Sequence, residues 1–115
     1  MPEEELALVV KAICSGVSGC CEWEGREAER VHCDKELDGL KPEVIKELLR
    51  KFVLGGGRVT QLPERRSHFS HREYYYKANV PAKDLKHGLF VEFELSDSDP
   101  DLPVVTLLNA HPQKK

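Results

Sequence analysis

Residues 65–77 read RRSHFSHREYYYK and hold the densest reactive chemistry in the chain. Four cations, Arg65, Arg66, Arg72 and Lys77, stand there against one anion, Glu73, although the formal net charge of the protein is −3. All three tyrosines (Tyr74, Tyr75, Tyr76) and two of the five histidines (His68, His71) fall in the same stretch. Cations neutralise phosphate, aromatic rings stack on unpaired bases, and imidazoles move protons near neutral pH. Together these are the residue types of RNA binding and of metal-free RNA cleavage.

Such cleavage needs a base for the 2′-hydroxyl proton, an acid for the departing 5′-oxygen and a cation beside the phosphorus. The candidates are His71 or Glu73 as base, Tyr75 or another histidine, His111, as acid, and Lys77 as electrostatic partner. Arg65, Arg66 and Arg72 are the candidate RNA-binding cations. This chemistry requires no cofactor.

A second group of reactive residues lies in the first third: Cys14, Cys20, Cys21 and Cys33. Without a secretory signal, reduced thiols are the leading expectation over disulfides. A zinc site built from Cys20, His32, Cys33 and a fourth ligand is a weaker alternative, since thiolates and imidazoles suit tetrahedral zinc. His68 and His71 are three residues apart. They would share a metal only on a helix, because on a strand they face opposite sides.

The elements that must position these groups read as α+β, in one domain over residues 1–115. Leu6, Val9, Val10, Ile13 and Val17 form an apolar stripe at helical spacing, predicting a helix over 3–15 with Glu3, Glu4 and Glu5 in its favourable first turn. Residues 18–30 are polar and admit a short strand around Cys20–Glu24 or a helical turn. Val31, His32 and Cys33 admit a strand or a helix start. Pro42 then opens a second helix carrying Leu40, Val44, Ile45, Leu48, Leu49 and Phe52 on its apolar side, with Glu47 and Lys51 as an i,i+4 pair. Gly55, Gly56 and Gly57 end it. They do not make a phosphate loop, because no Gly-Lys-Ser/Thr follows and they close a helix rather than open one.

From Arg58 the period changes to alternation, predicting strands at 58–62, 71–80, 88–96 and 103–110 in meander order, with helices on one face of a twisted antiparallel sheet. Residues 112–115 read as a tail. In the second predicted strand Tyr74, Tyr76, Ala78 and Val80 face inward, opposite His71, Glu73, Tyr75, Lys77 and Asn79. In the third, Leu89, Val91, Phe93 and Leu95 face inward, opposite Phe90, Glu92 and Glu94. In the fourth, Val105, Leu107, Asn109 and His111 share one side and Val104, Thr106, Leu108 and Ala110 the other. Both sides are largely apolar, which makes this strand either central or covered on both sides. The open face thus collects His71, Glu73, Tyr75, Lys77, Glu92 and Glu94, with His111 and Arg65 or Arg66 at its rim. Ordinary cross-strand charge pairing of Lys77 and His71 with Glu92 and Glu94 competes with any functional use of that face.

Helices followed by a four-stranded antiparallel sheet within 115 residues resemble the RelE-type bacterial toxins, part of a barnase, EndoU, colicin and RelE assemblage of small ribonucleases. A closer likeness, over residues 31–111, is to short uncharacterised bacterial domains on that fold. It rests on His32, then Pro42-Glu43-Val44 at a helix start, the basic and tyrosine-bearing stretch Arg72 to Tyr76, and Val104-Val105-Thr106 in a closing strand. The resemblance implies endoribonuclease activity and restraint by an antitoxin. The chain departs from it in being acidic, whereas RNA binding rests on phosphate neutralisation.

The competing class is a non-catalytic domain that binds a protein through the same face or a sheet edge. Asp97, Asp99 and Asp101 alternate like the opening of a calcium loop, but the glycine and distal glutamate are absent and Pro100 intervenes, so an Asp/Pro turn is the expectation. No run of about 18 apolar residues occurs. Acidic residues stand where a secretory signal carries cations, so the expected compartment is the cytoplasm.

Overall fold

The computed structural model describes residues 2–17, 19–32, 40–65, 73–82 and 85–112. Three helices and five strands follow in the order α1 (Pro2–Cys14), β1 (Cys21–Trp23), α2 (Gly25–His32), α3 (Pro42–Leu54), β2 (Thr60–Pro63), β3 (Tyr74–Ala82), β4 (Leu85–Asp97) and β5 (Val104–Pro112). The sheet order is β1-β5-β4-β3-β2. Strands β2 to β5 run antiparallel as successive neighbours, while β1 joins β5 in parallel. The expected four-stranded meander is therefore corrected to a mixed five-stranded sheet.

The fifth strand arises where the sequence is polar. Cys21 and Trp23 turn partly into the core, and the ladder is extended at both ends by Val105 N–H donating to the Cys20 carbonyl at 2.8 Å and Glu24 N–H to that of Leu107 at 3.0 Å. Trp23 Nε1 donates to the Pro42 carbonyl at 2.8 Å, which ties β1 to the first turn of α3. With β1 on one side and β4 on the other, β5 is an interior strand, as its two apolar faces predict.

One core forms between the helices and the inner sheet face. It joins Val9, Ala12 and Ile13 of α1, Val31 of α2 and Ile45, Leu49 and Val53 of α3 to Tyr76, Ala78, Val80, Leu89, Val91, Phe93, Val105, Leu107 and Ala110. The two expected helical stripes are rotated slightly: Val10, Val17 and Val44 are exposed, while Ala12 and Val53 take buried positions. Helix α3 ends on its glycines, with Gly55 N–H donating to Lys51 O, Gly56 N–H to Val53 O and Gly57 N–H to Phe52 O. In the β4–β5 connection Asp97 Oδ1 accepts from the Asp99 amide and Asp99 Oδ1 from the Asp101 amide, both at 3.0 Å, the local pattern of Asx turns. No helix among the described residues is long and apolar enough to cross a membrane.

Candidate functional site on the open sheet face

Register fixes what the open face presents. Thr60, Lys77, Glu92 and Asn109 are successive cross-strand partners over β2, β3, β4 and β5. Asn79, Phe90 and His111 form the adjacent row. Such rows are separated by about 6.7 Å along the strands, so side chains in neighbouring rows are in mutual reach. Tyr75, opposite Leu62, lies on the other side of the Lys77 row and is half-buried.

The position of His111 depends on a β-bulge. Phe93 is partnered by Leu107 and Glu92 by Asn109, so Leu108 is an extra residue in β5. Strict alternation places Asn109 and His111 with Val105 and Leu107. The bulge overturns that assignment: Val105, Leu107 and Ala110 are all fully buried, and Asn109 and His111 move to the opposite face, beside Glu92 and Phe90. His111 then stacks on Phe90, with ring centroids 4.5 Å apart and planes at 18°. Its Nδ1 lies 3.1 Å from the Pro112 carbonyl oxygen. A proton on Nδ1 satisfies that carbonyl and leaves Nε2 as the lone-pair nitrogen.

Two members of the face come from signals that alternation does not carry. Arg30 of α2 donates from Nη2 to the Asn109 side-chain oxygen, and its Nε donates to Glu27 Oε2 at 2.9 Å. Helical spacing explains the second contact, but only the packing of α2 beside β5 brings the first. Glu92, expected in an exposed row, is only 8% exposed between Lys77 and Asn109.

Among the predicted site residues, Tyr75, Lys77 and His111 therefore share the open face. Glu73 is exposed just before β3, and its carbonyl accepts from the Glu64 amide at 2.8 Å; Arg65 is exposed just after β2. Arg66, His71 and Arg72 lie outside the described residues, as do His68 and Cys33. Tyr76 is on the inner face as predicted, fully buried and stacked on Phe93 at 6.2 Å. Cys14, Cys20 and Cys21 are free thiols, and His32 closes α2. Among the described residues no three His, Cys, Asp or Glu side chains converge as metal ligands.

Two acids on the inner side make stability depend on alkaline pH. Burial raises the Cys21 thiol from 9.0 to about 12, against the lowering influence of Lys46. Burial likewise raises the Tyr76 phenol, opposed by the hydrogen bond from Gln61 and reinforced by one to Glu5. Each folded-state pKa lies above its unfolded value, so above pH 9.0 the unfolded chain binds fewer protons than the native one and stability falls. The contribution of Cys21 is complete below pH 9.0 and lost by about pH 12. Thermal melts followed by circular dichroism are expected to hold level from neutral pH to that threshold and then decline. Cys21→Ala is expected to delay the onset; an unchanged onset would remove the thiol as its source.

No family model matches the chain, and no curated protein or solved structure matches it.

Proposed function

We propose that the protein is an RNA-directed domain that seats unpaired RNA across the open face of its sheet and cleaves it by metal-free acid–base chemistry. The observation that carries this reading is the stacked Phe90–His111 pair on the face that also holds Lys77 and Tyr75, with Arg30 brought to Asn109 beside it. The Phe90–His111 pair forms the edge of a platform for one base, and Tyr75, two rows away, stacks a neighbouring nucleotide. Lys77 and Arg30 supply positive charge on either side of the Glu92–Asn109 pair.

In the reaction, His111 Nε2 accepts the proton of a ribose 2′-hydroxyl. The 2′-oxygen forms a bond to phosphorus, the bond from phosphorus to the 5′-oxygen breaks, and that oxygen takes a proton from water. The products are a 2′,3′-cyclic phosphate and a 5′-hydroxyl. Tyr75 is too many residues from His111 to act on the same phosphodiester, so stacking is its role here. The resemblance to RelE-type toxins leads to the same substrate class and adds an antitoxin as partner.

The test is anisotropy titration with single-stranded and duplex RNA, beside a cleavage assay in EDTA. Stacking contributes about 1–3 kcal/mol per base, so Phe90→Ala is expected to weaken single-strand binding roughly 5- to 150-fold. His111→Ala is expected to lower cleavage by about two to four powers of ten. Binding without cleavage would remove the catalytic half. Absence of both would end the proposal.

A second reading is favoured by the acids of this region. Glu92 and Glu94 lie on the face and Asp97, Asp99 and Asp101 follow β4, a distribution that suits a basic protein surface better than a polyanion. Under that reading the domain binds its partner without catalysis, and RNA fails to compete for the face.

A further inference from the structure

A cleft of about 490 Å³ lies between the end of β3 and the start of β4. Pro81, Ala82 and Leu85 give it an apolar lining, and Asn79, Lys86 and His87 its polar side chains. Asn79 joins this cleft to the open face, because it begins the row that continues through Phe90 to His111. Gly88 leaves room for that junction. A Cβ there would stand 2.8 Å from the Asn79 side-chain oxygen, so a side chain at this position would displace the amide.

Charge separates the cleft from the rest of the face. On the face itself the cations stand beside acids: Arg30 is held by Glu27 at 2.9 Å, and Lys77 is the ladder partner of Glu92. The cleft has the opposite balance. Lys86 and His87 line it with no carboxylate beside them in the lining, and both are exposed. Neither forms a salt bridge with any of the described residues. An ammonium and an imidazole N–H are donors to which a phosphodiester oxygen is the matching acceptor. Lys86 precedes Phe90 by four residues, so it lies roughly 13 Å from the stacked pair along β4. A single strand with one base on the pair reaches the cleft through its neighbouring nucleotides, as in grooves that track several nucleotides of backbone.

We propose that this hairpin cleft is the phosphate subsite of the RNA site, with Lys86 and His87 donating to a phosphodiester that flanks the nucleotide stacked on Phe90 and His111. The proposal rests on the RNA-binding reading and adds the course of the strand, from the stacked pair along β4 towards the β3–β4 turn. It also gives an acidic chain a place where phosphate charge is met.

The experiment is an anisotropy titration with labelled 2′-O-methyl oligouridylates of two and six nucleotides, whose blocked 2′-oxygen prevents cleavage, over a series of salt concentrations. Wild-type protein is expected to bind the hexamer more tightly than the dimer and with a steeper salt dependence. Lys86→Gln is expected to weaken the hexamer several-fold and to lower its salt slope by about 0.7, the share of one phosphate on a single strand. The dimer, which is too short to span pair and cleft, should be unaffected. Lys51→Gln, on the exposed side of α3, makes the same change in net charge and should alter neither. A wild-type protein that binds neither oligonucleotide would end the RNA reading and this subsite with it. Equal affinity for the two lengths would overturn the subsite alone. So would an equal loss of hexamer binding in Lys51→Gln, an unchanged hexamer in Lys86→Gln, or displacement of the hexamer by inorganic phosphate at matched ionic strength, which would mark a site for the free ion.

Discussion

Truncating Phe93 to alanine is expected to lower the folding free energy by about 3–5 kcal/mol, the usual loss for a fully buried aromatic side chain. Phe93 is fully buried in β4, between Tyr76 of β3 and Leu107 of β5, its two cross-strand partners. Its ring stacks on Tyr76 at 6.2 Å with planes at 19°. The Leu108 bulge begins at the very next pair, so the cavity would open where the β5 ladder is already irregular. Domains of this size are stable by only about 5–15 kcal/mol, so the loss is a large share of the whole. Urea unfolding followed by circular dichroism is the measurement, with Phe93→Leu as a milder companion at about 1–2 kcal/mol. A loss below about 1 kcal/mol for Phe93→Ala would mean that this ring is not the core centre described.

Gly88→Ala is expected to be the most damaging glycine replacement, costing at least about 2 kcal/mol from left-handed backbone strain and overpacking together. Gly88 has φ +86, and a Cβ there would meet the Asn79 side-chain oxygen at 2.8 Å and the Val80 carbonyl oxygen at 3.0 Å. The carbonyl belongs to the neighbouring strand and cannot swing aside as a flexible side chain can. Register explains the crowding. Val80 pairs with Leu89 and Ala82 with Leu85, so β4 crosses this end of the hairpin with an irregularity opposite Pro81. Gly56 is the control. Its φ of +91 is equally left-handed, but a Cβ there meets nothing within 4 Å. Gly56→Ala should therefore cost only the backbone part, about 1 kcal/mol. Equal losses at the two positions, measured by the same unfolding assay, would show that crowding at Gly88 contributes nothing.

Much of the scaffold was legible because its signals are local. The period of Ile45 and Leu49 after Pro42, and the glycines after Leu54, mark α3 without reference to any other segment. Alternation through Tyr74–Val80 and Leu89–Leu95 separates inner from outer side chains in β3 and β4, and the burial of Tyr76, Ala78, Val80, Leu89, Val91 and Phe93 agrees. The first strand was legible only as one of two alternatives. Three residues carry too little pattern, and Cys21–Trp23 becomes a strand by pairing with β5, some eighty residues away.

The candidate site divides along the same line. The residue types alone determined that Tyr75 and Lys77 share a face, that Tyr76 belongs to the core, and that the last strand needs cover on both sides. These follow from the two-residue repeat of an extended chain. His111 was expected only at the rim of that face, and the tertiary structure decided that it stands in a row of it, opposite Phe90. An extra residue in β5 reverses the alternation after Leu107, and a bulge is set by pairing with β4, not by β5 itself. Packing likewise decided that Arg30 reaches Asn109 and that Glu92 is buried. Each of these is a contact between segments far apart in sequence, and no local periodicity encodes which distant side chain will stand opposite.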